Sequence, residues 1–132
     1  MERFLPLFAM AAVLGMAVPA PAQGTARVSV DSAGMQGNSY SWYPSISGDG
    51  RIVALESLAT NLVPGDTNFA WDIFVHDRQT GQSTRVSVDS AGVQGNSRSE
   101  WPSISADGRF VAFDSWASNL VPGDTNGYVD VF

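Results

Sequence analysis

A chain of 132 residues with 13 acidic side chains against 7 basic ones, all of them arginine, carries a formal net charge of −6. It has no electrostatic footprint for a phosphate backbone or an anionic lipid surface, so nucleic acid is excluded as a partner. The absence of cysteine excludes a disulfide framework and a lipid-modified N-terminus, and one histidine without cysteine leaves too few ligands for zinc.

The chain begins with a short charged start, Met1-Glu2-Arg3, then an apolar run from Phe4 to Val18, then Pro19-Ala20-Pro21-Ala22. The run falls short of the ~20 apolar residues needed to cross a bilayer. A small-x-small pattern after such a run is what signal peptidase accepts. Residues 1–22 therefore read as a secretory signal peptide cleaved after Ala22. This implies a secreted or periplasmic product with no membrane insertion after cleavage.

From Arg27 the chain is a tandem repeat. Arg27-Val28-Ser29-Val30-Asp31-Ser32-Ala33-Gly34 returns 58 residues later as Arg85-Val86-Ser87-Val88-Asp89-Ser90-Ala91-Gly92, and the two copies stay in register without a gap to Phe132. Residues 27–84 form the first repeat and 85–132 the second, truncated one. Fixed-period similarity of this length marks solenoids, propellers and arrays.

Within the first repeat, Ser32 through Ser39 is rich in Gly, Ser and Asn and is expected to be irregular. Pro44-Ser45-Ile46-Ser47 is a short β-compatible run, and Asp49-Gly50 is a hairpin signal leading into Arg51-Ile52-Val53-Ala54-Leu55-Glu56. That strand is apolar on both alternating faces and calls for cover on both sides. The insertion Ala59 through Asn68 follows, then a third strand, Asp72-Ile73-Phe74-Val75-His76-Asp77. A turn at Thr80-Gly81 leads to a half-exposed fourth strand, Ser83 through Val88. The second repeat runs through the same series, with Pro102-Ser103-Ile104-Ser105, Asp107-Gly108, Arg109 through Asp114, the insertion Ala117 through Asn126, and Asp130-Val131-Phe132. No segment has a helical period. The fold class is all-β, built from four-stranded antiparallel units of the kind that form β-propeller blades. Propellers close with about four to eight blades, so the repeat count implies an incomplete propeller or a fragment of one.

Pro102 through Ser115, followed by Asp130-Val131-Phe132, resembles the TolB-type, WD40-like β-propeller repeat, in which a Ser-x-Asp-Gly-Lys/Arg turn joins two inner strands and a short Asp-x-aromatic strand follows. The resemblance covers nearly all of the chain after residue 22, in both copies. It implies a propeller, and it is weak for function, since such repeats serve in periplasmic, peptidase-linked and other exported proteins. A TolB-like N-terminal domain is not evident, so the Tol function is not transferred.

The chemistry-bearing residues are few. Asp124, Asn126 and Asp130, and in the first copy Asp66, Asn68 and Asp72, have the spacing of the start of a calcium loop, without the bidentate Glu that closes an EF-hand. Calcium is thus the one cofactor the sequence nominates, against the alternative that these side chains stabilise turns. Asp49 and Asp107 read as turn formers. Trp42, Tyr43, Trp71, Trp101 and Trp116 offer a stacking surface for sugars, but recurring aromatics are expected to fill the space between units. His76 has no Gly-x-Ser-x-Gly elbow to serve, so no catalytic residue is nominated. The sequence thus describes an exported, non-enzymatic propeller scaffold that binds a protein or ligand, with a protein partner or further blades as its neighbours. Two other readings stand beside it: the propeller portion of a secreted peptidase or polysaccharide lyase, and a calcium-dependent surface module.

Export has a direct test. Intact-mass analysis of the secreted or periplasmic product is expected to place its N-terminus at or near Gln23, and recovery of the uncleaved chain from the cytosol would overturn the signal-peptide reading.

Overall fold

The computed structural model describes residues 24–132; the predicted signal peptide, residues 1–22, lies outside the described residues. The described residues form two antiparallel sheets and no helix. The first sheet contains β1 (Ser41–Ile46), β2 (Ile52–Ser57), β3 (Asp72–Asp77) and β4 (Ser83–Arg85), in the order β1-β2-β3-β4. The second contains β5 (Ser99–Ile104), β6 (Val111–Ser115) and β7 (Asp130–Val131), in the order β5-β6-β7. Each strand neighbours the next in sequence, so each sheet is a meander, the first ending at Arg85, the first residue of the second repeat.

The Asp-Gly turns form as the sequence predicts. Asp49 accepts a hydrogen bond from the Ser47 hydroxyl at 2.6 Å and from the Arg51 amide at 2.9 Å, and Gly50 supplies the positive φ of 73°. Asp107, Ser105, Arg109 and Gly108 repeat the turn. The hydroxyl and amide donors stabilise the ionised carboxylates, so both aspartates titrate below the usual carboxylate range.

The first strand is longer than expected because the chain pairs through a bulge. Ser41 and Trp42 face Ser57 and Glu56, the register shifts, and Ser45 and Ile46 face Ala54 and Val53. The fourth strand is shorter than expected. Beyond Arg85 the Ser87 side chain turns inward, and Val88 joins only an isolated bridge to Gln94.

The irregular loops are not loose surface. Asn38 and Asn61 clip the two loops of the first repeat together: the Asn38 amide donates to Asn61 Oδ1 at 2.8 Å and the Thr60 amide to Asn38 Oδ1 at 2.9 Å. Asn96 and Asn119 with Ser118 repeat the clip. This closure draws Ala59 so near Gly37 that a Cβ on the glycine would lie 3.1 Å from the alanine methyl. Leu62 is thereby delivered to a core with Leu55, Ala59 and Phe74.

A second core joins the two sheets. Ile73 of β3 sits among Phe113, Ala117 and Leu120 of the second repeat, with Val86, Val111 and Phe132 around it. β5 packs against β1, β2 and β3. The two-sided cover expected for the inner strands is realised in β2, where Val53 through Ser57 are all buried. In β6 it holds on one side only: Phe113 is buried while Phe110 and Ala112 are exposed, because among the described residues no sheet packs on their face.

Ile73 is the keystone of the inter-sheet core, so Ile73→Ala is expected to cost about 2–5 kcal/mol. Denaturant unfolding checks this, and the loss should exceed that of Val131→Ala, the same position in the second repeat.

Candidate functional site

The first-repeat acidic set is brought together, but around an arginine. Asp72 is fully buried at the start of β3, and Arg85 at the end of β4 lies 3.4 Å from its Oδ2 and 3.3 Å from Asp66 Oδ1. The Ser87 hydroxyl donates to Asp72 Oδ1 at 2.6 Å, and Asn68 Nδ2 donates to Asp72 Oδ2 at 3.0 Å. Asp66 Oδ1 accepts no aligned hydrogen bond, so its attraction to Arg85 is coulombic. Burial raises the titration of both carboxylates; Ser87, Asn68 and Arg85 oppose the shift at Asp72, and at Asp66 the neighbouring Asp72 charge adds to it.

A calcium ion takes 6–8 oxygens. Here the cation position belongs to a guanidinium, and Asn68 turns its amide nitrogen, a donor, toward Asp72. Among the described residues no group of three or more His, Cys, Asp or Glu converges as metal ligands. The first-repeat residues thus surround a guanidinium. In the second repeat, Asn126 Nδ2 donates to Asp130 Oδ2 at 3.3 Å, the same contact in a more exposed setting. Asp124, Asn126 and Asp130 line an open cavity of about 480 Å³ bounded also by Val131 and Phe132.

His76 is structural. Its Nδ1 lies 2.9 Å from Ser83 Oγ, but the serine proton is directed at the Val30 carbonyl. With the serine hydroxyl donating to Val30, the imidazole Nδ1–H is the donor in that pair. Burial holds the imidazole below its ordinary titration range, and the neighbouring Asp77 is engaged by Arg51 at 2.7 Å.

The aromatic side chains depart from expectation. Trp42, Tyr43, Trp101 and Trp116 are exposed rather than packed between the units. Ile73, Phe113, Ala117 and Leu120 fill that space instead. Trp42 stacks on Trp71 at 4.7 Å between ring centroids, and the Tyr40 ring lies tilted at 5.7 Å from Trp42. Tyr43 meets Trp101 edge to face at 6.4 Å. These last two occupy the same repeat position, at the bulges of β1 and β5, and both have left-handed backbone, φ 46° for Tyr43 and 56° for Trp101. A bulky residue there costs ~1–2 kcal/mol, yet the side chains are 55% and 60% exposed. Nothing is gained in core packing to offset the strain.

The Trp101 conformation is held from the neighbouring sheet. Its amide donates to Glu56 Oε2 at 2.8 Å, and Glu56 is a carboxylate buried within β2. Burial raises the titration of Glu56, and the amide bond opposes the shift. Sequence reasoning missed Glu56 and Arg85 as junction residues. The available signals were a carboxylate on an otherwise apolar strand and the recurrence of Arg-Val-Ser at the head of both repeats.

Comparison with protein-family models, with curated proteins and with solved structures gives no match.

The raised titration of Glu56 sets a pH dependence. In its window the folded state binds more protons than the unfolded chain, so the stability due to Glu56 is complete below its unfolded value near 4.5 and is lost as pH rises through the folded value. Thermal melts of wild type and Glu56→Gln across pH 4 to 8 are expected to show the variant gaining on wild type as pH rises. A constant difference would show that the carboxylate is not destabilised by its burial.

Proposed function

We propose that this chain is part of a WD40-like β-propeller of the TolB type, exported from the cell, that acts as a non-enzymatic binding scaffold. The propeller reading rests on two repeat-matched antiparallel meanders stacked face to face through Ile73, with β5 packed across the first sheet. Its binding surface is the aromatic pair Tyr43 and Trp101, extended by the stacked set Tyr40, Trp42 and Trp71. One observation carries this assignment: two exposed rings at one repeat position are held on left-handed backbone that glycine would adopt without strain. Strain without a packing return belongs to a surface selected for contact with something outside the chain. Rings standing free in pairs offer flat apolar faces to a sugar ring or to the apolar side chains of a peptide.

The backbone angle supplies the test. Replacing Tyr43 and Trp101 together by Gly removes both rings and relieves the left-handed strain, which offsets the ~0.5–1 kcal/mol that glycine costs by conformational entropy at each site. The double variant is expected to melt within a few degrees of wild type while losing tenfold or more in affinity for whatever wild type retains on glycan and peptide arrays. Unchanged binding by a folded double variant would remove the aromatic surface from the account.

A further inference from the structure

Between the two repeats most differences exchange like for like, as at Ile73 and Val131 or at Glu56 and Asp114. The differences that change chemical character gather at one end of the sheets, where β1 and β5 begin, β2 and β6 finish and β3 and β7 are about to start. There Tyr40 stands against Arg98, Trp42 against Glu100, Leu58 against Trp116, and Phe69-Ala70-Trp71 against Gly127-Tyr128-Val129. The framework is kept in kind, and this rim is where the copies differ.

The joint inside the chain brings part of that rim together. The Ser99 amide donates to the Trp71 carbonyl at 2.7 Å, and the Trp101 amide donates to Glu56, whose cross-strand partner in β1 is Trp42. The run Ser99-Glu100-Trp101 therefore lies beside the Trp42–Trp71 stack, and the Tyr43–Trp101 pair spans the joint. Arg98 holds its guanidinium 5.0 Å from the centroid of the Trp116 ring and 3.7 Å from Glu100 Oε2. Both repeats are present at this joint, yet the Arg98 side chain is 50% exposed and Trp101 is 60% exposed. The surface is open even where the packing is complete.

We propose that this surface binds a neutral oligosaccharide laid across the joint, with sugar rings stacked against Trp42 and Trp101 and hydroxyls bonded to Arg98 and Glu100. The assignment rests on the aromatic surface of the scaffold reading and names its ligand. A sugar hydroxyl both donates and accepts, and the rim offers it the Arg98 donors next to the Glu100 acceptor. The face of a pyranose ring is a patch of C–H groups, which suits an aromatic plane. Other occupants fit less well. A peptide added as a strand needs free backbone groups, and at this rim the amides of Leu58, Ser99, Trp101 and Trp116 are already bonded. A lipid surface would strip water from Arg98 and Glu100 without replacing it. An acidic sugar would meet Glu100, Glu56 and a net charge of −6.

The full chain, expressed with residues 1–22 in place, is titrated by tryptophan fluorescence and calorimetry. The probes are neutral hexasaccharides of glucose, xylose, mannose and N-acetylglucosamine, then hexagalacturonate, a proline-rich peptide and phosphatidylcholine vesicles. Saturable binding of at least one neutral hexasaccharide is expected, its Kd changing by less than about twofold between low and high salt because the ligand has no charge to screen. Trp42→Ala and Glu100→Gln are each expected to weaken it about tenfold, as central contacts of a binding surface do. Trp42→Phe keeps an aromatic face and is expected to stay within about threefold of wild type. Circular dichroism checks that each variant is folded, and the surface variant Glu100→Gln decides the matter if Trp42→Ala does not fold. No binding of any neutral hexasaccharide, tighter binding of hexagalacturonate, or full affinity in folded Glu100→Gln would each overturn the proposal. Binding of the peptide or the vesicles alone, lost when Tyr43 and Trp101 are both replaced by Gly, would overturn the sugar assignment and leave the scaffold reading standing.

Discussion

A fully buried carboxylate with an arginine from the next repeat beside it sets the geometry of this molecule. Asp72 begins β3 with no exposed surface, and an isolated carboxylate in that position would be forced to neutralise or to find compensating partners. Its partners are a serine hydroxyl, an asparagine amide and the Arg85 guanidinium. Two of those come from Arg85-Val86-Ser87, the segment that opens the second repeat. The charge therefore fixes how far one repeat advances on the next, and Ile73, one residue along, is carried into the apolar pocket of the second sheet. A slip of one residue would bury Arg85 without its acids and turn Ile73 outward, so polar and apolar contacts enforce the same register.

The same junction organises the surface. Glu56, on the strand paired with β3, reaches across to the Trp101 amide, so the bulge of β5 is held from the neighbouring sheet. The left-handed backbone at Trp101 is thereby supported by a carboxylate 45 residues earlier in the chain. The apolar space between the sheets is already filled by Ile73 and Phe113 with their alanine and leucine neighbours, which leaves the large rings outside. A joint filled by Ile73, Phe113, Ala117 and Leu120 and an exposed set of Trp and Tyr rings belong to one packing arrangement.

The acidic loops show how one motif takes on different roles by position. Asp66, Asn68 and Asp72 lie beneath a strand that brings an arginine, while Asp124, Asn126 and Asp130 open onto a cavity. The spacing that suggests a calcium loop also suits a guanidinium, since both are cations that seek converging oxygens. The cation is chosen by what the next element carries, and no local pattern records that.

The sequence by itself determined the repeat, its period, the absence of helix among the described residues, the Asp-Gly turns and the third strand to the residue, because each is encoded locally in glycine's positive φ, in the carboxylate's short-range hydrogen bonds or in alternation along a strand. It also placed the loop of residues 32–39 correctly as irregular and located the insertion of residues 59–68. Only the tertiary structure decided that Asn38 and Asn61 lock those loops together, that the bulge lengthens β1, that Ser87 turns inward and shortens β4, and that the aromatic side chains stand outside the joint. These outcomes depend on which residue from another part of the chain arrives at a given place, and on how much volume is left when it does. Arg85 carries the lesson most directly: along the chain it is one arginine at the head of a repeat, and only folding sets it between two aspartates 13 and 19 residues before it.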